Sequence, residues 1–139
     1  MEFIRLNKTW DAEPNAPEPR IEIAGSTLKL SFYLNHFLYP QFNEDDLGIL
    51  EFDCCFQYRM GAPNDEGFYN HGQSRYKQHK VEWGYFYLVN YSDWATNFHE
   101  AQIIDDNIPI EGLNHYIFYF RDETFEVVAK NYSFQAEKA

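Results

Sequence analysis

Five histidines, His36, His71, His79, His99 and His115, and two adjacent cysteines, Cys54 and Cys55, are the side chains of this sequence best suited to metal binding or nucleophilic attack. Zinc takes three or four N, S or carboxylate ligands, often with a close pair spaced HxH or HxxxH, and neither spacing occurs. The closest grouping is His71 and His79 in one loop with His99 and Glu100 in another, which would require two loops to converge at one end of the fold. Solvated loop histidines account for the same residues more simply. His36 and His115, flanked by aromatics, read as hydrogen-bonded residues at strand ends. Cys54 and Cys55 would point to opposite faces of a strand and form neither a CxxC motif nor a disulfide framework, so they read as reduced structural thiols.

Oxygen-rich runs are no more specific. Asn43-Glu44-Asp45-Asp46 and Asp105-Asp106-Asn107 carry ligands that calcium favours, but without the alternate spacing, central glycine and closing glutamate of an EF-hand. Turn formation explains both. Glu51 and Asp53 fall on one face of a predicted strand, roughly 6.5 to 7 Å apart, a separation compatible with paired-carboxylate chemistry and equally expected of a solvated face. GxSxG, GxxxxGK[ST] and GxGxxG are all missing. The expectation is no catalytic residue, no metal and no cofactor.

Whatever the site, strands must position it. Tyr (11) and Phe (13) are abundant among the 139 residues, and most lie where apolar and polar side chains alternate with period two. Leu28, Leu30, Phe32 and Leu34 alternate with Lys29, Ser31, Tyr33 and Asn35 between Ser26 and Phe37. Leu47 to Met60 reads as one long strand with Leu50, Phe52, Cys54, Phe56 and Tyr58 on the apolar face. Lys80 to Tyr91 carries bulk on both faces, as a central strand would. Tyr116 to Phe120 and Phe125 to Phe134 suit a hairpin joined by Arg121 to Thr124, and the apolar phase change in its second strand predicts a β-bulge near Val127 or Val128. Short strands are expected at Phe3 to Leu6 and Arg20 to Ala24. Asp11 to Pro19, with three prolines, cannot pair inside a sheet. Phe52, Phe56, Phe118 and Phe120 are the predicted core. The fold expected is a single all-β domain over residues 1–139, an antiparallel β-sandwich or partly closed barrel of about eight strands, with one short helix near 94–104 capped by Ser92 or Asp93.

The charge narrows the partners. Lys plus Arg is 11 against 22 Asp plus Glu, a net charge of −11, which repels phosphate backbones and anionic lipid and attracts basic proteins. Nucleic acid and membrane are therefore not expected as partners, and the absence of an apolar leader-like or membrane-spanning run suggests a cytoplasmic location. The leading expectation is a nonenzymatic acidic protein-binding domain, immunity- or antitoxin-like, that docks a basic protein through Asp65, Glu66, Tyr69, Trp94, Asp105 and Asp106, with loop carboxylates around aromatic anchors. The alternative is a small-ligand or carbohydrate-binding domain using pocket aromatics, Trp83, Tyr85 and Tyr87.

Overall fold

The computed structural model describes residues 1–61, 82, 84–98, 100–120 and 123–139. They form two antiparallel sheets packed face to face as an open sandwich rather than a closed barrel. Ten strands are present among the described residues: β1 (Glu2–Arg5), β2 (Arg20–Ala24), β3 (Thr27–Tyr33), β4 (Leu47–Asp53), β5 (Gln57–Gly61), β6 (Phe86–Asn90), β7 (Gln102–Ile103), β8 (Asn114–Tyr119), β9 (Thr124–Ala129) and β10 (Asn131–Glu137). The larger sheet runs β1-β6-β8-β9-β5-β7 and the smaller β10-β4-β3-β2.

Alternation puts one apolar face of each sheet into the interface. Leu28, Leu30 and Phe32 of β3 and Leu50 and Phe52 of β4 meet Phe86, Tyr116, Phe118, Phe125 and Val127 of the larger sheet. The rings interlock edge to face and at a tilt, with Phe32 5.1 Å from Phe118 and Phe52 5.7 Å from Phe125, so the space between the sheets is filled. Gly48, opposite Phe32, leaves room for that ring: a Cβ there would lie 2.7 Å from Phe32 Cε2. A second cluster, Tyr87, Val89, Ile117 and Tyr119, lies on the other face of β6 and β8, so these strands are buried on both sides, as the bulk on both faces predicts for β6.

Two corners depart from the expected strands. Leu47 to Met60 is not one strand: β4 ends at Asp53, Cys54 takes a left-handed backbone (φ 52°), and the chain enters the other sheet as β5. Beyond the corner Tyr58 and Met60 still pack against the core, while Gln57 and Arg59 are buried on the opposite face of the larger sheet and Phe56 is only half-buried outside the main core, its ring 5.5 Å from Trp94. Phe56 is thus not the core residue expected, whereas Phe52, Phe118 and Phe120 are. Likewise the phase change after Phe125 is no bulge. β9 pairs in unbroken register with β5 and β8 through Val127 and Val128, and the chain then switches sheets at Lys130, whose N–H donates to Asp53 O. Where a helix was expected near 94–104, the described residues form a single turn at 94–96, with Thr96 and Asn97 N–H donating to Asp93 O. Glu100 is left-handed (φ 55°), and Gln102–Ile103 pairs with β5 as β7 instead of continuing the turn. Of the hairpin connection, Arg121 and Asp122 lie outside the described residues.

This packing ranks two phenylalanines by cost. Phe118→Ala should destabilise by about 3 to 5 kcal/mol, the range for a fully buried ring, and Phe56→Ala by less than about 2 kcal/mol. Chemical denaturation of the two variants tests the order; equal losses would contradict the corner at Cys54.

Candidate functional site

Of the expected partner-binding residues, Asp65, Glu66 and Tyr69 lie outside the described residues, as do Trp83 of the alternative set and His71, His79 and His99 of the weak metal grouping. Trp94, Asp105 and Asp106 come from one neighbourhood around Phe56: its ring packs on Trp94, and its carbonyl accepts Ile104 N–H at 2.9 Å and Asp105 N–H at 3.3 Å. Trp94 is half-buried, and Asp105 Oδ1 accepts Asn107 N–H, which makes that run a turn. Tyr85 and Tyr87 stay in edge contact, ring centroids 6.3 Å apart, with Tyr87 in the second buried cluster and Tyr85 packed against it while also lining a surface cavity. Among the described residues no group of three or more His, Cys, Asp or Glu is placed to hold a metal ion.

Two constellations test for nucleophilic chemistry. Cys55 is fully buried, donates to Phe52 O at 3.3 Å, and burial pushes its thiol up to about 12, far from a reactive thiolate. The other is a polar chain beneath the 91–98 segment. Ser92 Oγ and His115 Nδ1 share a hydrogen bond of 2.6 Å, His115 Nε2 lies 2.7 Å from Glu126 Oε1, and Arg59 Nη1 is 3.7 Å from Glu126 Oε2. Serine, histidine and carboxylate in sequence match the order of an activated nucleophile. Here, however, Ser92 Oγ also accepts Trp94 N–H and His115 is buried beneath Phe98. The arrangement ties the 91–98 segment to the sheet.

A surface with binding character lies elsewhere, where the 11–19 loop meets the chain after β3. The loop is fastened by Asn7, whose fully buried amide donates to Trp10 O, Asp11 Oδ1 and Gly84 O and accepts Phe86 N–H, all between 2.8 and 3.0 Å. Arg5 Nη2 lies 3.0 Å from Asp11 Oδ1, and its guanidinium sits 3.5 Å over the Tyr85 ring. Burial raises the Asp11 carboxyl above its ordinary pKa, with Arg5 opposing. Glu13 caps its own turn, accepting Asn15 and Ala16 N–H.

Across from this loop, Asn35 Oδ1 accepts the N–H groups of both Phe37 and Leu38, an Asx-type turn that presents two adjacent large apolar side chains at 65% and 68% exposure. The neighbouring 43–46 turn is set by Asp46, which accepts Asn43 N–H (2.8 Å), Lys138 Nζ (2.9 Å) and Ala139 N–H (3.1 Å). Glu44 and Asp45 stand exposed on it. The sequence read this run correctly as a turn but gave no notice of Phe37 and Leu38, which look like the tail of the β3 alternation. The signal that could have found them is Asn35 two and three residues upstream, with Pro40 following.

Comparison of the chain with protein-family models, curated proteins and solved structures finds no match.

The Asn43 N–H, with Lys138, holds the Asp46 carboxyl below its ordinary value. A carboxyl lowered in the folded state adds stability that is complete above its unfolded pKa, about 3.9, and is lost as pH falls through the lower folded value. Asp46→Asn should therefore reduce stability at neutral pH and flatten its decline below about pH 4. Urea unfolding across that range measures it; an unchanged acid limb would mean that the carboxylate carries no such linkage.

Proposed function

We propose that this chain is a nonenzymatic acidic protein-binding domain that docks a basic protein partner, in the manner of an immunity or antitoxin protein that occludes a cationic surface. The observation that carries this reading is the exposed pair Phe37 and Leu38, set in a turn by Asn35, with Glu13, Glu18, Glu44 and Asp45 beside Phe37. Adjacent large side chains at such exposure are costly in water and suit a desolvated contact, while the carboxylate rim and the net charge of −11 steer a cation toward it. A fixed turn loses little entropy on binding, which favours tight docking. Trp94, Asp105 and Asp106 belong to the same proposal as a second acidic surface, and Asp65, Glu66 and Tyr69, outside the described residues, are kept in it on their residue types alone.

A second reading, a small-ligand or carbohydrate-binding domain, has one observation in its favour: Tyr85 and Phe120 wall a surface cavity of about 560 Å³ that also exposes Asp11 and Asn35. Between the sheets the described rings pack against one another instead.

The test uses the cationic protein retained on the immobilised chain at low salt. Its association rate should fall steeply as salt rises to physiological strength, with dissociation changing less. Leu38→Ser should speed dissociation by about tenfold or more, equivalent to about 1.4 kcal/mol, without altering far-ultraviolet circular dichroism. Association indifferent to salt, or dissociation indifferent to Leu38, removes the proposal and leaves the small-ligand reading in front.

A further inference from the structure

Two hollows adjoin on the proposed docking surface, and they share Glu13 and Asn15 as a common wall. Their chemistry differs. The larger, about 560 Å³, is lined by Ala12, Pro14, Leu38, Tyr85 and Phe120, and the charge of its Asp11 is matched by Arg5 at 3.0 Å. That end is aromatic, aliphatic and nearly neutral. The smaller, about 290 Å³, brings Glu13 and Glu18 from the 11–19 loop toward Glu44 and Asp45 from the 43–46 turn, beside the rings of Tyr33, His36 and Phe37. None of these four carboxylates has an ion pair among the described residues.

We infer that the two hollows form one groove for an extended segment of the basic partner, with an arginine side chain in the carboxylate end and an apolar side chain against Tyr85 and Phe120. The inference rests on the docking reading above and names what that surface grips. Carboxylates on opposite walls with rings beside them suit a planar guanidinium, which can bond to both walls and stack at once; an ammonium can do only the first. A bare metal ion fits poorly, since no three ligating side chains converge there. Asn35 supplies the independent mark of a ligand. It is 4% exposed and lines the larger hollow, and its Oδ1 is spent on Phe37 and Leu38 N–H while its Nδ2 donors bond to no described residue. An amide nitrogen at a cavity wall that bonds to no described residue can donate to a carbonyl of an incoming backbone.

The probe is a capped glycine peptide carrying one arginine and one phenylalanine two residues apart, with counterparts in which lysine or glutamine replaces the arginine, titrated into nitrogen-15-labelled protein. The expected result is movement of the Asn35 side-chain amide and of backbone amides in 13–18 and 36–45, with affinity falling from arginine to lysine to glutamine. Glu44→Gln with Asp45→Asn should weaken the arginine peptide about tenfold, whereas Glu22→Gln with Glu51→Gln, the same change of charge on the smaller sheet, should weaken it less than about twofold. Equal weakening by both pairs, equal affinity for the arginine and glutamine peptides, an unmoved Asn35 amide, or no binding at millimolar peptide each overturns the groove. The docking reading is judged separately by the whole partner: if Leu38→Ser still speeds its release, docking stands without the groove, and if that fails as well, both fall.

Discussion

The buried amide of Asn7 is the contact on which the site-bearing end of the sandwich depends. An asparagine side chain can donate two hydrogens and accept at two lone pairs, and Asn7 uses both kinds on three separate pieces of backbone and on Asp11. It thereby joins the end of β1, the 7–11 turn and the entry to β6. Losing it would take a side-chain partner from Trp10 O, Gly84 O and Phe86 N–H, at about 1 to 3 kcal/mol for each group left buried and unsatisfied. What it holds in place is Trp10, whose ring stacks on Phe134 at 4.1 Å with an interplanar angle of 2° and also touches Phe32, Phe86 and Phe118. One loop residue thus contacts both sheets. Ala12 then bridges to Leu34, and Glu13 N–H donates to Tyr33 O, so the wall of the surface groove is registered to the core by the same fastening.

The interior was legible in the sequence wherever a strand keeps one face inward for its whole length. Leu28, Leu30 and Phe32, then Leu50 and Phe52, announce themselves by period two, because a slip of one residue would expose all of them. The corners were not legible. Nothing in the residue types at Cys54 marks a left-handed turn that glycine would ordinarily occupy, so β4 and β5 read as one strand. Beyond it Tyr58 and Met60 still face the core, while Gln57 and Arg59 are buried on the other face of the larger sheet and Phe56 stays half-buried. At Lys130 the core-facing set does change phase, from Phe125, Val127 and Ala129 to Tyr132 and Phe134, and the change of sheet resembles a bulge.

The surface was harder to read for a different reason. Exposed apolar residues and buried apolar residues look alike in a string of letters, and Phe37 and Leu38 follow directly from a strand whose apolar members are all buried. Only the side chain of Asn35, acting on two backbone N–H groups, separates them from it. The reverse case is the buried Arg59, His115 and Glu126 on the outer face of the larger sheet: three ionisable residues, far apart in sequence, that the fold draws together. Within the set His115 bonds to one Glu126 oxygen and Arg59 lies 3.7 Å from the other, which offsets part of the cost of burial.

Strand order also constrains how the chain reaches this state. β10 pairs along its whole length with β4, Asn131 opposite Asp53 and Glu137 opposite Leu47, and β1 pairs with β6, so an outermost strand of each sheet is contributed by a segment remote in sequence from its neighbour. Entropy must be surrendered to close these long loops before the contacts repay it, which places folding in the millisecond-to-second regime of β-sandwiches. During synthesis β4 waits with one edge unpaired until residues 131–137 are available to it. The interval before that last strand docks is when this acidic chain is most open to misassociation, and its own negative charge is then its main protection.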